Sequence, residues 1–489
     1  MEFAKAMVME TAKTRTENGA RALNTTGSDL LNLFGCVGSL READEARITS
    51  LFSDAYAEDK LLATKLLFYA RDIRGGLGER RTFKVILKWL AEHHPEVIEK
   101  NLELIPFYGR FDDYYELIGT KVETDMWIHV KSLLVSDMIH KDAGEPCSLL
   151  AKWLKTADAS SEKTRKLGIY TAKALGYSVY DYKRIVRSLR KYIDVTEVKM
   201  TDKRWDEIQY STVPSKAMSN YRNAFRRHDG ERFSKFLEDV GSGKEKINAS
   251  TLYPYEIVEK MREVYWWSGP EEFKDEPVLE AQWKALPNYV APGTNAIVIA
   301  DTSGSMLGRP MDSAVSLAIY FAERNTGAYH NLWMSFSGDS RVQRLKGETL
   351  AQKLRSIDMN HWSGNTNLEA AFNHVLDIAV SNNVPEEEMV KSIIVISDME
   401  IDRCTDDGMF YDSMQKEYKK FGYEMPCVIF WNVNSRHDIF HVDAERPNTI
   451  LCSGQATSTF KNVVGTIGKT PFDVMMDVLN DPRYDLVTV

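Results

Sequence analysis

The stretch 295–306, NAIVIADTSGSM, constrains the fold of this chain more than any other. Residues 296–300 form an uninterrupted apolar run, typical of a parallel strand that is buried on both faces. Asp301, Ser303 and Ser305 follow in a turn. Alternate residues of such a turn can direct their oxygens to one point, and carboxylate and hydroxyl oxygens suit a hard cation such as Mg²⁺. The alternative is an ordinary strand-to-helix connection in which Ser305 caps the next helix.

Strand-like and helical patterns alternate through residues 293–489. The strand-like runs lie at residues 296–300, 332–336, 392–396, 428–433 and 449–452. Helical patterns lie at residues 310–324, 349–357, 367–380, 410–421 and 471–479. This alternation predicts a doubly wound α/β domain whose mainly parallel sheet is covered on both faces. Ligands of such domains bind outside the carboxyl ends of the strands, where Asp301 is expected.

Two further segments are expected at the same edge of the sheet. Residues 361–367 precede a helix and include Thr366, and residues 393–397 form an apolar strand that runs into Asp398. Together with Asp301, Ser303 and Ser305, these side chains could hold an octahedral Mg²⁺ or another divalent cation. One coordination position would remain for a carboxylate or phosphate oxygen of a partner. The sequence therefore predicts a three-part metal site.

Catalysis at this site is not expected. Neither Ser303 nor Ser305 lies in the Gly-x-Ser-x-Gly pattern of a nucleophile elbow. Glu400 and Asp402 could form a second metal site or supply a base. We interpret them instead as solvated loop acids that add negative potential. The chain is therefore predicted not to be an enzyme, with a metal-assisted phosphatase or nuclease as the remaining alternative.

The first half has a helical pattern. Besides apolar stripes near residues 61–69 and 83–90, helices are predicted at residues 95–105, 111–118, 125–139, 161–175, 180–192 and 231–240. Short connections predict a bundle or a stack of helix pairs over residues 29–267. Residues 1–28 are predicted to be a loosely attached arm. Residues 268–292, rich in proline and glycine, are predicted to connect the domains, packed down by Trp266, Trp267 and Trp283.

Composition places limits on the setting of the protein. The 489 residues carry a net charge of −9 and five cysteines, which are widely separated and form no Cys-x-x-Cys pair. Buried free thiols are therefore expected, and a reducing, cytoplasmic location fits them. The amino terminus lacks a signal-peptide core, and no apolar run approaches the roughly twenty residues needed to cross a bilayer. No membrane partner is expected.

Charge is unevenly distributed along the acidic chain. Residues 151–250 carry about nine more basic than acidic residues. One group is Lys183, Arg187, Arg190 and Lys191, spaced along one helix face with Arg184 beside it. A second group is Arg222, Arg226 and Arg227, followed by Arg232 and Lys235, with the aromatic residues Tyr221, Phe225 and Phe233 nearby. Such clusters suit structured or single-stranded RNA, whereas a solvated helix face is the alternative.

The metal-site residues carry a family resemblance. Asp301-x-Ser303-x-Ser305, then Thr366 and then Asp398, resembles the metal-ion-dependent adhesion site of von Willebrand factor A domains. The resemblance covers roughly the last two hundred residues of the chain. It implies that these five residues bind Mg²⁺, that an acidic group of a protein ligand completes the coordination shell, and that the site is not catalytic.

A helical half followed by such a domain is similar in arrangement to the Ro (TROVE) ribonucleoproteins. In those proteins a ring of HEAT-like helical repeats binds small non-coding RNAs and the ends of misfolded RNAs. The segments 68–76, 106–113 and 430–432 resemble more closely a functionally uncharacterised, Ro-related family. The resemblance implies a non-catalytic, RNA-binding protein with a Mg²⁺ site. The alternative is a metal-dependent protein-interaction scaffold that binds no RNA.

Overall fold

The computed structural model describes residues 7, 9–262, 273–336, 340–360, 362 and 364–489. Within these residues a helical region precedes a mixed sheet of six strands, as the sequence predicts. The helices of the first part have these bounds: Asp29–Cys36, Glu45–Glu58, Lys60–Arg71, Arg81–His93, Pro95–Lys100, Leu104–Tyr108, Glu123–Ala143, Leu150–Trp153, Glu162–Ala174, Val179–Tyr192, Thr196–Thr201, Ser215–His228, Gly230–Gly241 and Pro254–Met261. The later helices are Pro277–Lys284, Arg309–Arg324, Leu350–Arg355, Leu368–Ser381, Phe410–Lys420, Thr459–Val463 and Pro471–Leu479.

The strands form two sheets. A short hairpin consists of β1 (Lys13–Arg15) and β2 (Arg21–Leu23). The strands of the large sheet are β3 (Ala296–Asp301), β4 (Leu332–Phe336), β5 (Arg341–Arg344), β6 (Ser392–Ser397), β7 (Cys427–Asn432) and β8 (Thr449–Ser453). Their order is β5-β4-β3-β6-β7-β8, and every neighbouring pair is parallel except β4 and β5. The strand order reverses between β3 and β6, which is where an α/β sheet offers a ligand crevice.

Both faces of the large sheet are covered. Ile297 and Ile299 of β3 belong to a core shared with the first helices of the chain, from Leu30 onward. Val298 and Ala300 belong to a second core, which includes the helix Arg309–Arg324. Successive residues of a strand point to opposite faces, so an uninterrupted apolar strand fits a sheet covered on both sides. The first core also shows that the two halves of the chain pack as one body.

Some predicted elements differ from the observed ones. The helix predicted at residues 95–105 is divided, because the Asn101 side chain donates to the carbonyl groups of Val97 and Thr488 where the first piece ends. Phe111–Leu117 is a 3-10 helix rather than an α-helix. Neither β5 nor the β1–β2 hairpin was predicted, since strands of three or four residues carry little periodicity.

The prediction of a loosely attached arm is wrong for the described part of residues 1–28. The hairpin pairs through single bridges with the second half, at Gly19 with Asp402 and at Leu23 with Phe440. Ala20 and Ala22 of the hairpin and Ala12 just before it are buried. The prediction relied on the polar composition of this segment. The hairpin is attached mainly by backbone pairing and small side chains, which composition does not reveal.

The predicted connector also has structure of its own. It contains the helix Pro277–Lys284, begun by Glu276, whose side chain accepts a hydrogen bond from the Leu279 amide. Trp283 is buried and its indole N–H donates to Glu323. Trp266 and Trp267 lie outside the described residues. The connector is therefore packed against the second half at Trp283.

The free, buried state of the cysteines and the lack of a membrane-spanning run are both predictions from the sequence. All five cysteines are free, and four of them are buried. Burial raises the pKa of the Cys36, Cys404 and Cys427 thiols to about 12, so these thiols are protonated at neutral pH. Among the described residues, no helix has the length and apolar character needed to span a membrane.

Candidate cation site and basic helix face

Two buried carboxylates occupy the ends of neighbouring parallel strands. Asp301 is the last residue of β3 and Asp398 follows the last residue of β6. The register pairs Ala300 with Ile396, so the two strands end at one level of the sheet. Both acids are buried, Asp301 completely. The sheet thus places two negative side chains together where water cannot screen them well.

The environment of Asp301 disfavours its negative charge. Burial, and after it the nearby Asp398, raise the pKa of Asp301 to about 7. Hydrogen bonds oppose this shift, because the Ser303 amide donates to Oδ1 at 2.9 Å and the Ser397 hydroxyl donates to Oδ2 at 2.6 Å. A divalent cation between the two acids would supply the positive charge that favours their ionised forms.

Of the hydroxyl groups of the predicted site, that of Ser303 lies beside Asp301. Ser303 Oγ is 3.1 Å from Ser305 Oγ, and both follow Asp301 in the turn after β3. Thr366 is buried, and its carbonyl accepts a hydrogen bond from the Asp402 amide, which ties its loop to the segment after β6. His361 and Ser363 of the same loop lie outside the described residues. Two carboxylates and three hydroxyls are oxygen ligands, which fit Mg²⁺.

Arg436 and Glu17 complete the surroundings of Asp398. One guanidinium nitrogen of Arg436 lies 3.1 Å from Asp398 Oδ2, and the other lies 2.6 Å from Glu17 Oε2. The guanidinium therefore joins a sheet-edge carboxylate to the carboxylate of the hairpin turn. The Arg436 guanidinium thus supplies a positive charge beside Asp398.

Glu400 is not the solvated loop acid that the sequence indicated. It is fully buried, accepts a hydrogen bond from the Glu17 amide at 2.7 Å and contacts His437 Nδ1 at 2.8 Å. Glu17, Glu400 and His437 place three ligand atoms within 4.8 Å of one another. The interpretation was wrong because its partners come from segments remote in the chain. Asp402, by contrast, is only half-buried.

Glu17, Asn18 and Arg436 were not predicted as site residues. A signal for the hairpin was present in Asn18-Gly19, because three-residue hairpin loops such as Glu17-Asn18-Gly19 commonly place glycine at their left-handed position. Gly19 has φ of +87°, the left-handed conformation that such a turn requires. No local pattern indicates that this turn approaches β6, since the contact joins residues 383 positions apart.

The predicted RNA-binding residues have different surroundings. Lys183 pairs with Asp158 at 2.8 Å, and Arg187 lies 3.8 Å from the same acid while 81% of its side chain remains exposed. Lys191 and Arg227 are exposed. Arg187, Lys191 and Arg227 are therefore accessible to solvent, whereas Lys183 is half-buried beside Asp158.

Arg190, Arg222 and Arg226 have partners within the fold, although Arg226 is also exposed. Arg190 donates to the carbonyl groups of Ala151 and Leu154 and to the Thr156 hydroxyl. Arg222 donates to the carbonyl of Ser219 and lies 3.5 Å from Glu276, and Arg226 also pairs with Glu276. Spacing along a helix does not reveal acceptors that other segments supply.

The aromatic residues near the second basic group are also unavailable to bases. Phe225 and Phe233 are fully buried in a small core, and Tyr221 packs partly buried against it. The helix Val179–Tyr192 offers exposed aromatic surface instead, through Tyr180, whose side chain is 75% exposed. The sequence analysis did not single out Tyr180, and RNA binding by this helix face stays a prediction.

The fold and the site together define a class: a helical region joined to an α/β domain with a candidate cation site at its sheet edge. Residues 16–128 and 135–291, more than half of the chain, match the family described as a domain of unknown function, DUF2828. The chain belongs to this family. Residues 295–471 match a second domain of unknown function, DUF7788. The chain is also 26% identical to the uncharacterized protein L728 of Acanthamoeba polyphaga mimivirus over 507 aligned positions, covering 95% of this chain and 86% of L728.

Proposed function

We propose that the protein binds Mg²⁺, or another divalent cation, through Asp301, Ser303, Ser305, Thr366 and Asp398. The cation holds an acidic group of a protein ligand and does no chemistry on it. The observation that carries the proposal is the pair of buried acids at the ends of β3 and β6, beside hydroxyl groups of the adjoining loops. This order of ligands supports an adhesion-type site that resembles that of von Willebrand factor A domains.

The surroundings of the serines support binding rather than catalysis. Ser303 Oγ and Ser305 Oγ are partners of each other, and the Ser303 amide is directed to Asp301. A nucleophilic serine needs a general base to take its proton, whereas the carboxylate beside Ser303, that of Asp301, is itself a proposed cation ligand. Two hydroxyls grouped beside two acids instead form a set of ligand oxygens for a hard cation.

Isothermal titration of the metal-free protein with Mg²⁺ and Mn²⁺ tests the proposal. We expect saturable binding to the wild type and at least tenfold weaker binding to Asp301→Asn and Asp398→Asn. Asp377→Asn is the matched control, because Asp377 is an exposed acid on the helix Leu368–Ser381. At a cation concentration of about one hundred times Kd, binding should stabilise the wild type by about 2.7 kcal/mol. Wild-type protein that shows no saturable binding, or Asp301→Asn that binds equally well, would contradict the proposal.

RNA binding is a second candidate function, favoured by one face of the helix Val179–Tyr192. Tyr180, Arg184, Arg187 and Lys191 follow one another at spacings of four, three and four residues and are all exposed. Arg184 forms a long ion pair with Asp181, in which nitrogen and oxygen are 3.4 Å apart. An aromatic ring for stacking, beside cations for phosphates, is the arrangement that single-stranded RNA requires.

Fluorescence anisotropy with a single-stranded RNA and a stem-loop RNA tests this second function. Replacing Arg184, Arg187 and Lys191 together by alanine should weaken binding at least tenfold. It should also reduce the slope of log K against log salt by about two, since each phosphate contact on a single strand contributes about 0.7. The matched control replaces the exposed Lys346, Lys416 and Lys419. Absence of RNA binding at low salt, or equal losses in both triple variants, would exclude this face as an RNA site.

A further inference from the structure

The turn of the β1–β2 hairpin lies directly against the candidate cation site. Asn18 Nδ2 donates to the Glu400 carbonyl at 2.6 Å and is 3.4 Å from Thr366 Oγ1, the hydroxyl of a proposed ligand. The Thr16 hydroxyl donates to the Ile401 carbonyl at 2.7 Å. The turn therefore contacts both the loop before the helix Leu368–Ser381 and the segment after β6, which together line the site.

Glu17 brings a carboxylate to this position. Its Oε2 is 2.6 Å from Arg436, and the same guanidinium contacts Asp398. Its amide is directed to Glu400, which holds the backbone of the turn in place. The Glu17 side chain is 46% exposed, and its Oε1 is 3.7 Å from His437 Nε2. This acid has the chemistry that the open position of the cation requires.

The position of the hairpin is set by contacts that its two strands make with residues other than the proposed ligands. Arg15 and Arg21 both pair with Asp407, at 3.0 and 3.2 Å. Leu23 and Phe440 exchange two backbone hydrogen bonds, of 2.8 and 2.9 Å. These contacts leave a groove of about 280 Å³ between the hairpin and the second half, lined by Met9, Leu23 and His441 among others. The hairpin is thus anchored at its strands, whereas its turn ends at the site.

We infer that Glu17 is a built-in ligand of the cation site, held there by the hairpin, and that an external acidic ligand must displace it. The inference rests on the proposed function of the site. Without the cation, Arg436 provides the positive charge between Glu17 and Asp398. With Mg²⁺ bound, the Glu17 carboxylate turns from Arg436 to the open coordination position. The partner admitted there is a protein segment with an exposed acidic side chain, and its binding releases the hairpin turn.

Hydrogen–deuterium exchange on the full chain, with and without Mg²⁺, tests this inference. Mg²⁺ should slow exchange of the amides of residues 16–20 at least fivefold in the wild type. Glu17→Gln should lose this protection, because an amide is a weaker Mg²⁺ ligand, although it keeps the backbone bond to Glu400. Glu10→Gln is the matched control: Glu10 is an exposed acid before β1 whose partner is Lys13. It should behave as the wild type does.

Titration of the same samples separates this inference from the proposed function. Mg²⁺ binding without added protection of residues 16–20 would overturn the built-in ligand and leave the cation site in place. Equal protection in Glu17→Gln would also overturn it, because the carboxylate would then be unnecessary. Absence of Mg²⁺ binding would overturn both. Protection that depends on Glu17, and disappears in Asp301→Asn, supports the inference.

Discussion

At the scale of single residues, burial decides what a charged or titratable side chain does. Asp301 and Asp398 lie together at the sheet edge, whereas Arg187 extends into solvent. His441 is a third case: it is fully buried, and its Nε2 is 2.9 Å from the carbonyl of Met399. Burial lowers the pKa of His441 to about 4, so the folded protein holds this ring neutral.

His441 makes the stability of the protein depend on pH. In the unfolded chain a histidine binds a proton near its ordinary pKa of 6.5, whereas in the folded protein it does so near 4. The unfolded state therefore binds more protons between these values, and stability falls as the pH falls from 6.5 to 4. The lowered pKa corresponds to about 3 kcal/mol. Urea denaturation at several pH values should show a smaller acid loss for His441→Gln than for the wild type.

A matched variant makes this pH experiment specific. His140 is exposed near the end of the helix Glu123–Ala143. His140→Gln should lose stability between pH 6.5 and 4 as the wild type does. A His441→Gln profile that superimposes on the wild-type profile would show that this ring does not produce the acid loss.

At the scale of elements, the segments 68–76 and 106–113 form a structural joint. Arg71, at the end of the helix Lys60–Arg71, pairs with Asp113 of the 3-10 helix Phe111–Leu117 at 2.7 Å. Both side chains are fully buried. Gly109 is required there, because a Cβ at this position would be 2.5 Å from Asp113 Oδ2. These residues hold two helical segments together.

Breaking this joint should be costly. Arg71→Met leaves the Asp113 carboxylate buried without its partner, which should destabilise the protein by about 3–5 kcal/mol. Arg80→Met is the control, since Arg80 is 54% exposed and is 3.5 Å from Asp112. That change should cost less than about 1 kcal/mol. Urea unfolding midpoints of the two variants can be measured by circular dichroism. Equal midpoints would contradict a structural role for the Arg71–Asp113 pair.

At the scale of the whole molecule, the two halves share a core and several polar contacts. Asp72 accepts hydrogen bonds from Arg483 and from the hydroxyl of Tyr484 near the end of the chain. After the helix Asp29–Cys36, the Gly38 amide donates to Ser453 Oγ at the end of β8. Folding of the sheet and folding of the first helices are therefore coupled, which places the hairpin and the site in one body.

The backbone at Gly38 lies close to the backbone at Gly454, and this close approach provides a test of the coupling. A Cβ at Gly38 would be 2.6 Å from the Cα of Gly454, so Gly38→Ala must separate the first helices from β8. We expect a loss of about 1–3 kcal/mol, as for other overpacked sites. Gly230→Ala is the control, because a Cβ there meets no atom within 4 Å. Thermal unfolding should show a lower Tm for Gly38→Ala alone, and an unchanged Tm would argue against tight packing here.

The sequence by itself determined the types of most elements and placed an acidic residue at the end of β3 and another directly after β6. Those features depend on local patterns: apolar runs make buried strands, and the residues that follow parallel strands meet at one edge. Thr366 was proposed on a different ground, because its loop directly precedes a helix. The hairpin could also have been recognised from Asn18-Gly19, although its place in the molecule could not.

Only the tertiary structure decided which side chains remain available. Arg190 and Arg226 are hydrogen-bonded or paired within the fold, and Phe225 is buried, because segments distant in the chain supply their surroundings. The approach of Glu17 to Asp398 has the same origin. It depends on backbone pairing between the hairpin and residues almost four hundred positions later, which no local periodicity encodes.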